Sequence, residues 1–362
     1  MDNLAHTLLA TALAKTPLGR RSPLSTAALL IGANLPDADA ISGFWGIEAY
    51  LTHHRGLSHA ILGIAIEFVL LGAALAWVEL RFFSKFINTS EPRRGPWLAA
   101  AIGLISHPLL DSLNAYGVRP FIPFDDHCYY GDMLFIVDPW AWFLFGSTTA
   151  LAGARTVLGS IALLLIAIST TLVMFISDRA PSEMCIIWPV MVVLISALRF
   201  TGFGANRAVP IVIFSLILFI SYCVGMRVLG NMALEKTRAD VQYQLPHGES
   251  IINDSRSPRP ADPRKWIVTI ETERFVIQRD MTLGSASNIQ FRIAKNHDLP
   301  EVAAVMNTDS AQAWKKFARH PIAVVSHKNG SSYVELTDAR FGLDPTRNWS
   351  TIRIRIAETP VR

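Results

Sequence analysis

Residues 106–114 read SHPLLDSLN, and within them His107 and Asp111 stand four positions apart. On a helix that spacing puts both side chains on one face, one turn above the other. It is the way a single helix offers two ligands to one metal ion, as the two histidines of an HExxH helix do. Pro108 removes a backbone hydrogen bond beside them and loosens that turn. In a soluble chain, a solvated Asp at a helix end beside a chance His is the commoner explanation. Inside an apolar run such residues are costly and usually functional, which reverses the balance.

Three further stretches carry the same kind of side chain. NLPDADAIS, 34–42, places Asp37 and Asp39 on either side of Ala38 after a proline that should end a helix. Two carboxylates at this spacing suit one cation or the bridging of two, although Asp is also common in polar loops. HHRGLSH, 53–59, supplies His54 and His59 with Gly56 between them for a turn. Imidazole is the commonest protein ligand for zinc and binds in its neutral form. His53 is set aside, because adjacent histidines rarely both reach one site. Arg55 offers a guanidinium suited to a phosphate or a developing oxyanion, with a salt bridge or interface snorkelling as an equal alternative. His6 near the start and Asp138 in VDPW complete the set; Asp138 also suits a helix cap ahead of Pro139.

The candidate metal ligands are therefore His6, Asp37, Asp39, His54, His59, His107, Asp111 and Asp138. They outnumber the ligands of one closed tetrahedral zinc and fit two ions sharing carboxylates, as in metallohydrolases of phosphoesters. Zinc is the expected metal, with manganese as the other choice. Arg55 and Asp111 are the side chains expected to act on the reacting ester. Glu67, deep in an apolar run, is a secondary candidate for holding a His or lining a proton path. Asp125, Asp126, His127 and Asp132 read as a solvated acidic loop, and His297, His320 and His327 as surface residues.

The elements that must position these groups follow from composition. The chain has 362 residues, 51% of them hydrophobic and only 17% charged, with a mean hydropathy of +0.32. A soluble chain carries about a quarter charged residues, so the deficit points to a membrane. A span needs about 20 apolar residues. Ala60–Leu80, Thr156–Ser177 and Val209–Val228 meet that length, and Met184–Leu198 is shorter but almost uncharged. Leu4–Ala14, Pro23–Leu35, Trp97–Leu113 and Pro139–Ala154 are short apolar helices that carry or adjoin the polar candidates. Such helices are expected inside a bundle that shields them from lipid. The start of the chain lacks the positive region and cleavage site of a signal peptide, so the first helix is expected to be retained.

If the chain alternates sides through these elements, one side receives Lys15, Arg20, Arg21, Arg81, Lys85, Arg93, Arg94, Arg155, Arg199 and Arg207. The other receives Arg55, Arg119 and Arg179. Ten against three is a positive-inside bias that assigns the first side to the cytoplasm. Every candidate ligand falls on the opposite side. The net charge of +4 and the lack of a basic patch argue against nucleic acid. Cys128, Cys185 and Cys223 stand alone, which argues against a disulfide framework or a thiolate zinc site.

Beyond residue 230 the composition becomes that of a soluble domain. Pro246–Pro263 is rich in Pro, Ser and charge and reads as a linker or long loop, within a connecting region 231–264. KWIVTIETERFVIQ (265–278), IQFRIAK (289–295) and TIRIRIAE (351–358) alternate as strands do. IAVVSHKNGSSYVEL (322–336) predicts a hairpin turning at Asn329-Gly330, and DSAQAWKKFARH (309–320) predicts a helix. The expected fold is mainly α. A polytopic transmembrane helical bundle (1–230) is followed by an extracytoplasmic α+β, β-rich domain (265–362).

The ordered set N3-x-x-H6, LPDAD, HRGLSH, SHPLLDSLNAYGVRPFIPF and IVDP resembles the bacterial membrane-bound metal-dependent hydrolase family of inner-membrane proteins. The resemblance covers about residues 1–140. It implies a multi-pass protein of the inner membrane with divalent metal at His6, Asp37, Asp39, His54, His59, His107, Asp111 and Asp138. The HxxxD pair is also distantly similar to that of zinc-dependent phospholipase C, a matter of analogy. An ester or phosphoester of an amphipathic substrate such as a lipid is then the expected target. Two other classes stand beside this one: an ion or small-molecule transporter using the same cluster, and a membrane assembly factor with a structural metal.

The charge sorting has its own test. A cysteine placed at Ser90 should be protected from impermeant reagents added outside intact cells, and one placed at Asp125 should be labelled. The reverse pattern would invert the topology.

Overall fold

The computed structural model describes residues 1–83, 95–153, 156–176, 183–204, 206–285, 288–328 and 331–356. In chain order the helices are α1 (Asn3–Ala14), α2 (Ser25–Gly32), α3 (Ile47–His53), α4 (Ile61–Phe82), α5 (Gly95–Asp111), α6 (Pro139–Ala152), α7 (Val157–Ile176), α8 (Met184–Thr201) and α9 (Ala208–Gln244). They are followed by α10 (Pro300–Val305) and α11 (Asp309–Phe317). Short 3-10 helices at Leu35–Trp45 and Leu57–His59 connect the early ones. The chain divides into two compact units. One comprises Met1–Ala38, Leu57–Val228 and Pro258–Pro263; the other comprises Asp39–Gly56, Leu229–Ser257 and Arg264–Arg362.

In the first unit, helix starts are written into the sequence. Asp2 caps α1 by accepting from the backbone N–H groups of Leu4 and Ala5, and Asp138 caps α6 in the same way through Trp140 and Ala141. Pro139 then stands at the first helical position, where its missing N–H costs nothing. The core among α1, α2, α4 and α5 is built largely from alanine and leucine, including Ala28, Leu29, Ala33, Ala100 and Leu104. Small side chains let helix backbones approach closely, the usual solution where lipid removes the hydrophobic drive between helices. Helices α2 and α5 approach backbone to backbone. A Cβ on Gly103 would lie 2.6 Å from the Leu29 carbonyl oxygen, and one on Gly32 would lie 3.0 Å from that of Ala100.

Three helices among the described residues are long and apolar enough to cross a membrane: α4, α8 and α9. Helix α8 is longer than its sequence suggested and qualifies as a span. The sequence-predicted span at 156–177 appears as α7, whose last predicted residue lies outside the described ones. One face of α4 is left uncovered, with Ile61, Val69, Leu70 and Trp77 exposed, while Leu71 and Leu75 pack inward. Glu79, near the far end of α4, is buried and accepts from the Leu24 N–H at 2.9 Å, capping the start of α2.

The second unit carries seven strands: β1 (Ile251–Pro258), β2 (Lys265–Thr272), β3 (Phe275–Thr282), β4 (Asn288–Ala294), β5 (Pro321–Lys328), β6 (Ser331–Asp338) and β7 (Ile352–Arg355). They form a sheet in the order β1-β2-β3-β4 and another in the order β5-β6-β7. Strands β2, β3 and β4 pair antiparallel in sequence order, as do β5, β6 and β7. The predicted strands and the helix at 309–320 are therefore present, while the predicted turn at Asn329-Gly330 lies outside the described residues. Trp266, Ile270 and Trp314 are fully buried, and α3 packs against α11.

Two parts of this unit differ from expectation. Much of the predicted connecting region is ordered structure, because α9 runs on through Gln244 and β1 joins the sheet. Ala233, Thr237 and Val241 recur every four residues and are buried, so the helix continues on its own amphipathic stripe. In β1 the buried residues include Ser255 and Arg256, so no apolar alternation announced the strand. His320 is also not a surface residue. It is fully buried, with Nδ1 at 3.0 Å from Glu271 and Nε2 at 2.8 Å from Ser255, while Lys295 donates to Glu271 at 2.5 Å. Partners for both ring nitrogens make that burial tolerable.

Burial alone would raise the Glu271 pKa, but the bonds from His320 and Lys295 outweigh it and hold the carboxyl below its usual range. A folded-state pKa below the unfolded value stabilises above the ordinary carboxylate range, and that stability is lost as pH falls through the folded-state pKa. Glu271→Ala should cost about 3 kcal/mol at neutral pH by stranding buried cations. It should also flatten the loss of stability as pH falls below about 4.5, the ordinary carboxylate value. Denaturant unfolding of the full chain, followed by near-ultraviolet circular dichroism, reads both.

Candidate metal centre

Four side chains of the first unit converge. Asp37 comes from the 3-10 helix after α2, His59 from the 3-10 turn that leads into α4, and His107 with Asp111 from the last turn of α5. His59, His107 and Asp111 are fully buried, and Asp37 nearly so. The two Nε2 atoms lie 3.1 Å apart. His59 Nε2 stands 3.4 Å from Asp37 Oδ1 and 3.4 Å from Asp111 Oδ2, and His107 Nε2 stands 3.4 and 3.6 Å from the same oxygens. Zinc bonds of about 2.0–2.1 Å to nitrogen and oxygen imply tetrahedral ligand separations of about 3.3 Å. The five separations that involve a histidine lie near that value, and all four donor atoms lie within 4.8 Å of one another, so the set could hold one metal ion.

The imidazoles are held ready by groups behind them. His107 Nδ1 is 2.7 Å from the Ala33 carbonyl oxygen, which can only accept, so Nδ1 carries a proton. In the neutral ring the Nε2 lone pair then faces the cluster. Ser58 Oγ lies 2.9 Å from His59 Nδ1 and sets the same orientation when it accepts. Two such lone pairs at 3.1 Å, with two carboxylates around them, call for positive charge: the Met1 ammonium on Asp111 supplies one, and a second proton on an imidazole or a metal ion would supply the rest. Burial alone would push the Asp37 carboxyl up. Hydrogen bonding and charge from His107 and His59 overcome this and hold it far below the usual range, so Asp37 is the anion a metal ligand must be. The glycine contact of α5 with α2 matters here, because it brings the Ala33 carbonyl within reach of His107, one turn beyond Gly103.

The remaining predicted residues are placed as follows. His6 on α1 stacks on His107 with ring centroids 3.9 Å apart, and its Nε2 is 3.3 Å from Asp111 Oδ1. The Met1 amine also reaches that oxygen. Asp138 is buried as the α6 cap, with one oxygen on the Trp140 and Ala141 N–H groups and the other accepting from Tyr222 at 3.0 Å. It stands outside the four-residue cluster. Asp39, His54 and Arg55 belong to the second unit. There His54 Nδ1 is 2.8 Å from Asp39 Oδ1, and the Arg55 N–H donates to Asp39 Oδ2 at 3.0 Å. Arg55 is buried and holds φ of 55°, a left-handed backbone that a non-glycine residue adopts only when its surroundings enforce it. His53 is exposed, and Glu67 is half-buried along α4. Asp125, Asp126 and His127 are exposed as expected, whereas Asp132 is buried against expectation, where the chain returns to Asn114.

Sequence reasoning missed Ser58 and the Ala33 carbonyl. A serine directly before a candidate His was a readable signal for the first; a backbone oxygen in an apolar helix offers none. Full-length protein supplied with zinc should retain at least one ion per chain by elemental analysis. His59→Ala with His107→Ala should abolish that retention. Ser58→Ala, by releasing the ring behind the ligand, should weaken zinc affinity about tenfold or more.

No curated protein and no solved structure is similar enough to this chain to match. A family model does match, that of the YdjM inner membrane protein, over residues 1–181. That span includes α1 to α7 and every residue of the cluster. With half of the sequence matched and apolar helices long enough to cross a bilayer, the chain belongs to the YdjM inner membrane protein family.

Proposed function

We propose that this protein is a multi-pass inner-membrane, metal-dependent hydrolase acting on an ester or phosphoester of an amphipathic substrate. The observation that carries the reading is the buried set of two Nε2 atoms and two carboxylate oxygens at 3.1–3.6 Å. A divalent ion held there, zinc in the first instance and manganese in the second, supplies an acidified water with a pKa of about 7 and a positive charge for an ester oxygen.

The chain's own residues do the rest. His59, His107 and Asp37 hold the ion. Asp111 turns Oδ2 to those histidines and Oδ1 to His6, which suits a carboxylate that bridges two ions or accepts a proton from the attacking water. A catalytic zinc keeps three protein ligands and an open position, so His59, His107 and Asp37 would hold the ion and leave a place for water. The positive-inside bias puts the site and the C-terminal domain outside the cytoplasm. A site at the end of a spanning helix favours a substrate from the membrane, a lipid or lipid-linked phosphoester.

Zinc-loaded protein in mixed micelles should hydrolyse bis(p-nitrophenyl) phosphate or phosphatidylcholine. His107→Ala and Asp111→Ala should each lower kcat by about a thousandfold or more. Full cellular activity in both variants, together with its loss on deleting residues 265–362, would replace the enzyme with an interaction factor. Ion uptake into proteoliposomes without hydrolysis would replace it with a transporter.

A further inference from the structure

The segment between α5 and α6 leaves the end of α5, beside Asp111, and comes back to it. Asp111 ends α5, and the Met133 and Leu134 N–H groups return to the Leu113 carbonyl at 2.9 and 3.1 Å. Between these points Val118 and Tyr129 exchange both backbone hydrogen bonds, at 3.0 and 2.9 Å, and close a loop. Its tip is ordered by its own turn, with the Phe124 and Asp125 N–H groups donating to the Phe121 carbonyl. Yet Phe124 is 87% exposed and Phe121 is exposed beside it. A closed, hydrogen-bonded loop that holds aromatic side chains outward is a surface waiting for an apolar neighbour.

The neighbour is indicated by what pins the loop. The Pro120 carbonyl accepts from the N–H of Ile61, the first residue of α4, at 2.9 Å. Helix α4 is long and apolar enough to cross a membrane, and its first residue is 63% exposed, with exposed Leu57 just ahead of it. The bare apolar face of α4 therefore begins at the level where the loop is attached. Exposed Asp125 and Asp126 follow Phe124 directly, so the tip changes from apolar to acidic within one residue. That is the pattern of a segment seated at a membrane interface, where aromatic residues mark the boundary. The acidic neighbours disfavour recruitment by anionic lipid, leaving apolar insertion as the source of attachment.

We propose that residues 118–129 form a lip inserted into the bilayer surface beside the metal cluster, across which the cluster takes a phosphoester headgroup from the membrane. Insertion stands on the geometry; substrate delivery rests on the hydrolase reading above. The loop starts seven residues after Asp111, and Ile61 lies two residues after His59, so both chain segments that meet at the lip lead directly to ligands.

Depth and delivery are tested separately. With Cys128, Cys185 and Cys223 replaced by Ser, nitroxides are attached to Phe124→Cys and Asp126→Cys in the full chain, reconstituted in phosphatidylcholine vesicles. The label at 124 should collide more with oxygen than with a water-soluble nickel chelate, and the label at 126 the reverse. Equal nickel accessibility at the two positions would overturn insertion, as would a tip buried only when a second protein is added. For delivery, Phe121→Ser with Phe124→Ser should lower the rate on phosphatidylcholine vesicles about tenfold. The rate on soluble bis(p-nitrophenyl) phosphate and the zinc content should stay unchanged. Unchanged rates on both substrates would overturn delivery. A wild-type protein inactive on both would defeat the hydrolase reading and delivery with it, while the nitroxide depths would still decide insertion.

Discussion

Two buried imidazole nitrogens, each within 3.6 Å of both carboxylates, need positive charge among them beyond the Met1 ammonium that meets Asp111. Much of the first unit is arranged around that constraint. The Ala33 carbonyl fixes the proton of His107 on the side away from the cluster, so the ring presents a lone pair inward. That carbonyl is in reach because Gly32 and Gly103 let α2 and α5 touch backbone to backbone. Asn34, one residue on, exchanges hydrogen bonds with Thr7 of α1 at 3.1 and 3.3 Å, which ties in the helix that brings His6 onto the His107 ring. The alanine-rich core is thus more than filler. It permits the approach distances that a charged site between short helices needs.

The ligands of this cluster were legible in the sequence because polar groups in apolar runs are rare and because the HxxxD spacing has one geometric meaning on a helix. Asp37 and His59 were joined to that pair by the assumed alternation of sides and by the family resemblance, and the structure brings the four side chains together. What held them in place was less readable. Ser58 left a trace in the sequence, but the Ala33 carbonyl left none, since backbone atoms carry no residue type. Asp138 illustrates how one residue supports two readings: its sequence context suited both a cap and a ligand, and the structure shows the cap.

The second unit was legible where apolar alternation dominates, in β2 to β7, and illegible where polar residues are buried with partners. His320, Glu271, Lys295 and Ser255 form such a group, and no spacing rule joins residues contributed by different parts of a sheet. The membership of Asp39–Gly56 was also unexpected, because that segment lies between two ligand-bearing stretches. Its placement follows from side-chain contacts made far along the chain: Tyr50 meets Trp349 edge-on at 6.2 Å, and Glu48 accepts from Ser310 at 2.6 Å. Local sequence reading has no access to contacts of that range.

The central claim is that two imidazoles and two carboxylates close on one ion. X-ray absorption at the zinc edge of the zinc-loaded, full-length protein tests it most directly. The account predicts a nitrogen and oxygen shell at about 2.0–2.1 Å with outer scattering from about two imidazole rings and no sulfur at about 2.3 Å. A sulfur shell, or an oxygen shell without imidazole scattering, would contradict it.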